Sequence, residues 1–586
     1  MSKLKILIFG FAFFAFSLTL LFAQDSEVKF TLDAASPTIP LPKIFKPNID
    51  LSGRGFNRTS SWPQSLADEK ILEKWKNDIG FSGIYRIQYN LWEINQLAKD
   101  KASQNKLLDN YEKVIKNISD AGGTVILDIF GTPAGLGEVL DKKSPPWDLK
   151  AFKELVKNHI SNLSCQKKYN IWYEVWSAPD LDEFFLGRKQ EYLNLYRQVA
   201  EAVKELETEA KIHIPVGGPS VSWWFQNPDG NNIMTVEKSL IYELMKFCYS
   251  YRLPLDFISW HSYSTSPGAE GEITKYKKTA VKLVRDWLTD YFNFDKNTPL
   301  IVDEWNYDSG MNMLPERYEN SFVCASYIPS RIKKMYEAGL DYQVYFCLED
   351  FYNKKEGVTR NVGAFWLDPE ASEYKGEPKS IYNVFRMLKY LGNNMLSPTS
   401  KIDDEFLSMV ATKTEDGAVI IISNYIDPDI AKNYISKNIA TLNDRERKLL
   451  MNLIRANKLE KIIARQIDIS SLRLSAKLKA LLKKALELND LANKFKSSNR
   501  NIRLEIKNFP GYYSYQKYTL DSSCSTNCAF VPSEEKEIDV TDTYQEGPLS
   551  ISPYSVNMII LKKEIKQVDK TVSEPQTEEK VSDSTK

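Results

Sequence analysis

Ile171-Trp172-Tyr173-Glu174-Val175-Trp176, closed by Ser177-Ala178-Pro179-Asp180-Leu181, is a short apolar run that stops at a proline. A run of this length bounded by turn residues reads as a buried strand. Outward from it the same unit recurs. A weak strand near Asn48 to Gly53, then Gly83–Tyr89 and Thr124–Phe130, precede it; Ile212–Gly217, Asp256–Tyr263, Leu300–Trp305 and Tyr342–Leu348 follow. Amphipathic helices fill the intervals, such as Glu191–Leu206 with Tyr192, Leu195, Tyr196, Val199 and Val203 on one stripe. Eight strand–helix units predict an α/β fold, a (β/α)8 TIM barrel over residues 45–398. No Gly-rich phosphate fingerprint follows any strand, which speaks against nucleotide binding.

The flanks are organised differently. Lys3 and Lys5 precede an apolar run from Ile6 to Ala23, after which Gln24-Asp25-Ser26 turns polar. This reads as a signal peptide over 1–23 and predicts a secreted or periplasmic protein, with an N-terminal membrane anchor as the alternative. Residues 24–44 form a lead-in. Past the barrel, Phe406–Ala411, Ala418–Tyr425, Ile502–Ile506 and Val556–Leu561 read as strands of a β-sandwich built from 399–426 plus 501–562. Its core needs both groups, because the first pair alone is too short.

Between those groups lies 427–500, helical in pattern and free of Gly. Residues 431–500 carry 17 Lys/Arg against 6 Asp/Glu, although the whole chain balances 77 against 77. The segment reads as an amphipathic packing element with a solvated basic face, or as a contact for an anionic polymer or a membrane surface. Global charge points to no nucleic-acid partner. Residues 563–586 are polar without apolar periodicity and predict a disordered tail. Cys524 and Cys528 are close enough in sequence to pair, and with three His in the chain and none nearby, no metal or cofactor motif is read.

In such barrels the working residues sit where strands end. The fourth strand ends in Trp176-Ser177-Ala178, the sixth in His261-Ser262-Tyr263, and the seventh in Asp303-Glu304-Trp305-Asn306. A carboxylate at the seventh mouth, flanked by Trp305, suits a nucleophile beside an aromatic sugar platform. Trp223-Trp224 in a loop after the fifth strand and 12 Trp and 31 Tyr overall suit stacking on the sugar rings of a carbohydrate partner, and a large core absorbs aromatic residues as well.

These residues resemble glycoside hydrolase family 39, the β-xylosidase and α-L-iduronidase family of retaining (β/α)8 glycosidases. The matching residues include Tyr85-Arg86, Val216-Gly217-Gly218-Pro219, His261-Ser262-Tyr263, Glu304-Trp305, Gly339-Leu340, Asp350 and Ser423-Asn424-Tyr425. The likeness runs from about residue 45 to 425. It implies that Glu304 takes the nucleophile position, and that Arg86, Trp176, Ser177, His261, Tyr263, Trp305 and Phe346 line a substrate site. It also places the general acid/base, a Glu in that family, at Ala178. Further departures are Ser177 for Asn, Gln88 for His and Phe346 for Trp. Retaining hydrolysis needs two carboxylates, and Ala178 has no proton to give. The expectation is therefore a glycan-binding protein with weak or no ordinary hydrolase activity, a pseudoenzyme. The alternative is an active O-glycosyl hydrolase that uses a good leaving group or a substitute donor, for which Glu174, Asp180, Asp182, Glu183 and Glu349 are the candidates.

Overall fold

The computed structural model describes residues 27–53, 66–225, 236–268, 272–273, 278–307, 321–353, 358–360, 363–366, 377–399 and 404–564. The apolar run from Ile6 to Ala23 and the tail beyond Glu564 lie outside the described residues. Eight parallel strands close into a barrel: β1 (Ile49–Asp50), β2 (Ile84–Asn90), β3 (Thr124–Phe130), β4 (Ile171–Val175), β5 (Val216–Val221), β6 (Phe257–His261), β7 (Leu300–Trp305) and β8 (Tyr342–Tyr345). β6 pairs in parallel with β7, and β8 pairs with β1 to complete the ring. The fold is a TIM barrel with added sheets and helices.

Strand parity layers the barrel interior. At the bottom, Ile84, Ile126, Phe257, Ile301 and Val344 form an apolar plug against which Trp172 and Tyr342 pack. Two residues further along, the same inward faces carry Arg86, Asp128, Glu174, Ser259 and Asp303, all buried. The outward faces join the surrounding helices in one large core.

The fifth strand is displaced from its expected place. It runs over Val216–Val221, not Ile212–Gly217, because the Gly-Gly-Pro signal that looks like a strand end is carried inside the strand. The Gly218–Pro219 peptide is cis, and the register against β6 shifts between Pro219 and Val221.

The second unit is a sandwich of two sheets. Leu407–Lys413 and Gly417–Asn424 pair with each other, and Gly417–Asn424 pairs residue for residue with Ser555–Lys563 across the intervening helices. Gly511–Leu520 and Glu534–Val540 extend this sheet on one side, Asn394–Leu396 and Ile39–Pro40 on the other. The opposing sheet holds Val28–Asp33, Arg500–Lys507 and Tyr544–Ile551. Two boundaries therefore differ from expectation. The lead-in supplies a strand, with Val28–Asp33 parallel to Ile502–Lys507, and residues 394–396 belong to the sandwich. Parity also explains the unbroken run Val419-Ile420-Ile421-Ile422. Ile420 and Ile422 face the sandwich core, while Val419 and Ile421 face the barrel, so this central sheet is buried on both sides.

Residues 427–500 form helices Ile430–Asn438, Asp444–Arg455, Lys458–Ile463 and Ala476–Lys496 around their own apolar core. Cys524 and Cys528 are disulfide-bonded. Among the described residues no helix is long and apolar enough to cross a membrane.

Candidate active site

Arg86, on β2, is the hub of the barrel mouth. Its side chain is 2% exposed and meets five carboxylates. Nε lies 2.7 Å from Glu174 and 3.9 Å from Asp303, and Nη2 lies 3.3 Å from Asp128. Nη1 reaches Asp50 at 3.2 Å and Glu304 at 3.5 Å. Asp303 and Glu304 are consecutive, so an even pleat would turn one of them outward. A register shift on β7 between Val302 and Glu304 lets both reach Arg86, as bulges beside working sites commonly do.

One cation cannot neutralise five carboxylates in a buried space, so protons must fill the deficit. Burial and the charge of Glu174 push Asp303 well above the usual carboxylate range. Burial does the same for Asp128, against the pull of Arg86. Asp50 is raised by burial to about 6. Glu174 is the exception. Burial opposes its ionisation, but Arg86 and hydrogen bonds from Asp303 and Ser259 outweigh that cost and hold it below its ordinary value. Glu174 and Arg86 thus form the ionised pair, with Asp303 protonated against Glu174.

Glu304 stands at the outer edge of this network, and its side chain is 15% exposed against 0% for the other four. The Tyr263 hydroxyl donates to its Oε1. Its Oε2 faces Arg86 and lies 3.4 Å from His261 Nε2. Burial, then the charge of Arg86, lowers His261 to about 3. The imidazole is therefore neutral near pH 7, and the His261–Glu304 contact is polar rather than ionic. Burial raises Glu304 itself, while Arg86 and Tyr263 oppose the shift. Ser220, held inward at φ +52°, joins the parts: its hydroxyl contacts Asp303 and lies 3.0 Å from His261 Nε2.

Ala178 follows β4 at the same mouth. It sits at φ +45° and is 1% exposed. Its N–H donates to Ser220 O at 2.8 Å, and its carbonyl accepts from Leu181 N at 3.1 Å. Non-glycine residues in this left-handed region cost on the order of 1 kcal/mol, so these two bonds fix the chain where it leaves the strand. Ser177 beside it is buried.

Three of the five candidate substitute carboxylates are already engaged. Glu174 lies in the layer beneath, with its oxygens on Arg86 and Ser259. Asp180 accepts from both the N–H and the hydroxyl of Ser222. Glu349 accepts from Asp68 N at 3.1 Å and packs so close to Gly53 that a Cβ there would stand 2.4 Å from its Oε2. Asp182 and Glu183 are exposed on the loop.

The aromatic platform expected at Trp176 and Trp305 is absent, because both rings are fully buried. Trp176 packs between Phe130 and Phe185 and donates Nε1–H to Phe184 O. Trp305 packs on Tyr327 and Tyr345 and donates to Gln343. Each indole found an internal partner, which makes it a packing residue. Phe346 is half-buried at the end of β8, and Trp223 is 36% exposed beyond β5. Asp50, Asp128, Ser220, Ser259 and Asp303 belong to the site although sequence reasoning passed over them. Of these, Asp128 carries a signal, a lone charge inside the apolar strand Thr124–Phe130, whereas Asp303 is masked by the adjacent Glu304. Among the described residues, no group of three or more His, Cys, Asp or Glu is placed to hold a metal ion.

Comparison with known proteins agrees with this fold. The family model described as Glycosyl hydrolases family 39 matches residues 131–470. A β-xylosidase of Caldicellulosiruptor saccharolyticus is 23% identical over 383 residues, which cover 61% of this chain and 72% of that protein. Among solved structures, a glucosidase from Croceicoccus marinus has a TM-score of 0.61 at 16% identity, covering 92% of this chain and all of that one. A GH39 enzyme from Xanthomonas axonopodis pv. citri has a TM-score of 0.59 at 13% identity, covering 92% and 98%. At such identities the structures speak for the fold, and the family match speaks for descent: the chain belongs to glycosyl hydrolases family 39.

Proposed function

We propose that this protein is an exported glycan-binding member of its family, one that keeps a nucleophile at Glu304 and has lost the general acid/base at Ala178. The single observation behind this reading is the pairing of a held Glu304 with a methyl group at Ala178. Glu304 has a hydroxyl donor on one oxygen and a guanidinium near the other. In a retaining mechanism one carboxylate attacks the anomeric carbon while a second protonates the departing oxygen. Without the second, cleavage of an ordinary glycoside slows by about 10²–10⁴. Glu174, Asp180 and Glu349 are engaged elsewhere and Asp182 and Glu183 are exposed on the loop, which supports a vacant acid over a relocated one. Export rests on the N-terminal run from Ile6 to Ala23.

The second reading, a hydrolase limited to good leaving groups, is favoured by the support around Glu304. A dinitrophenyl glycoside tests it. Glu304 attacks the anomeric carbon, the C–O bond breaks, and dinitrophenolate departs with the electron pair without needing a proton. No base then activates water, so the glycosyl ester accumulates until azide attacks the same carbon. Two inversions give a glycosyl azide of retained configuration. A burst of dinitrophenolate, a mass shift on Glu304 and azide-dependent turnover are expected. Their absence across a broad panel of aryl glycosides would leave binding as the only function of the site.

A further inference from the structure

The charge of the chain is concentrated in one place. Residues 431–500 are net +11 by 17 Lys/Arg against 6 Asp/Glu, within a chain of zero net charge. The rest of the chain is therefore net acidic. The acids of the segment are spent inside it. Glu446 accepts from Asn443 N and Ser475 Oγ at the start of helix Asp444–Arg455. Glu460 pairs with Lys432, Asp490 with Arg465, Glu487 with Lys484 and Asp444 with Arg447. Asp468 caps its own turn through Ser470. Among the Lys/Arg outside these pairs, Arg445, Lys448, Arg455, Lys458 and Lys461 lie on two successive helices and are all exposed. None of the five has a carboxylate within 4.0 Å among the described residues.

Helical spacing puts Arg445, Lys448 and Arg455 on the solvent side of helix Asp444–Arg455, opposite the buried Glu446, Leu450 and Leu453. They span roughly 15 Å at 1.5 Å per residue. The segment is anchored beside the site. Thr265 lies two residues past Tyr263, the donor to Glu304. It accepts from Tyr425 through its carbonyl at 2.7 Å and donates its hydroxyl to Asp429 at 3.3 Å. Lys437 closes over Gly268, where an added Cβ would stand 2.6 Å from its Nζ. Beside Asp429, Ile430 packs with Leu488, Ala492 and the sandwich residues Phe406 and Ile426. The segment that carries the basic face is thus fixed to the loop that leaves the barrel mouth through Asp429 and Lys437.

We propose that the exposed face of helices Asp444–Arg455 and Lys458–Ile463 binds a polyanionic glycan, a chain bearing carboxylate or sulfate groups, while part of that chain occupies the mouth at Glu304. This rests on the reading of the barrel mouth as a glycan site. A helix lying on a membrane presents large apolar side chains at its centre. Met451 and Ile454 on the solvent side of helix Asp444–Arg455 are 38% and 43% exposed and share that character, so the choice of a glycan rests on the attachment of the segment to a loop of the glycosidase-type barrel, and the vesicle arm of the test decides against a membrane.

The test measures binding of the full chain to polygalacturonate, heparin, neutral xylan, phosphatidylglycerol vesicles and a DNA duplex. Binding to a charged glycan is expected, falling at least about tenfold between about 50 and 200 mM salt. The triple variant Arg445→Glu, Lys448→Glu, Arg455→Glu should lose at least about tenfold in affinity. A second variant, Lys458→Glu with Lys461→Glu, should lose a smaller factor. Both should keep the wild-type level of Glu304 labelling by the dinitrophenyl glycoside. Unchanged affinity in the triple variant would overturn the proposal, as would a preference for xylan, vesicles or DNA over both charged glycans. If charge reversal abolishes glycan binding while no aryl glycoside labels Glu304, the basic surface stands, Glu304 is not a nucleophile and the mouth serves for binding alone.

Discussion

The Tyr263 hydroxyl donates to Oε1 of Glu304, while the Arg86 guanidinium lies 3.5 Å from Oε2. The two oxygens are therefore held by different groups, one neutral and one cationic, and the carboxylate is oriented as well as stabilised. A hydrogen bond to a charged group contributes about 1.5–3 kcal/mol, equivalent to roughly 10–100-fold in rate if it acts on the attacking carboxylate. Tyr263→Phe should slow the dinitrophenolate burst by that factor with little change in folding, and Glu304→Ala should abolish it. A Tyr263→Phe variant with an unchanged burst would mean that the contact orients nothing.

Arg86 carries the buried network, so its loss should be structural as well as functional. Removing the one cation near five carboxylates leaves Glu174 ionised without a partner, and breaking such a buried pair costs about 3–5 kcal/mol. Arg86→Met should lower the urea midpoint accordingly. Adding Glu174→Gln to it should recover part of the loss, because the uncompensated charge is then gone. A loss below about 1 kcal/mol in the single variant would show that the carboxylates simply take up protons.

How far these features are legible in the sequence depends on which constraint each residue answers to. The barrel is readable because buried parallel strands are continuous apolar runs, and Thr124–Phe130 and Leu300–Trp305 were expected at the bounds observed. β5 is misplaced because Gly218-Pro219, ordinarily a turn signal, here forms a cis bulge within the strand. Val28–Asp33 is invisible as a sandwich strand because its partner lies more than 470 residues away. At the mouth, strand ends identify Glu304, His261 and Tyr263. Periodicity alone cannot show that Asp303 also faces inward, since that depends on the register shift. Trp176 and Trp305 mislead for a different reason. A Trp at a strand end suits a sugar platform and a core equally, and only the internal partners of the two indoles decide.

Asp50 makes the network sensitive to pH in a predictable direction. Its folded value is about 6 through burial, against about 3.9 in an unfolded chain. The folded state therefore binds the extra proton between these values. The contribution to stability is fully present below about pH 4 and is lost as pH rises through about 6. Asp50→Asn keeps an acceptor for Ser52 N, which now donates to Asp50 at 2.7 Å, and does not titrate. The stability of wild type relative to this variant should fall by on the order of 2–3 kcal/mol between about pH 4 and pH 7. A difference that stays flat across that window in thermal melts would show that Asp50 is ionised throughout.

On the proposed reading the missing acid can be restored at Ala178, where the side chain is 1% exposed and its neighbours must shift to admit a glutamate, at a cost of about 1–3 kcal/mol. The left-handed backbone at φ +45° is already held by Ser220 O and Leu181 N. A glutamate there would meet the same backbone strain as the alanine, and the bonds that position it would be main-chain bonds that the side chain does not alter. Ala178→Glu with Ser177→Asn should supply the missing proton to the leaving oxygen, and the same carboxylate should then activate water for the second step. Turnover of an ordinary glycoside should rise by up to about 10²–10⁴ with retained configuration, and the covalent ester should cease to accumulate. Ala178→Gln, which matches the size but cannot titrate, should give none of this. If wild type reacts with aryl glycosides and azide but the double variant gains nothing, the nucleophile is competent and the acid position is out of reach of the leaving group. If neither reacts with any sugar, Glu304 is a member of the Arg86 network and not a nucleophile, and the mouth serves for binding alone.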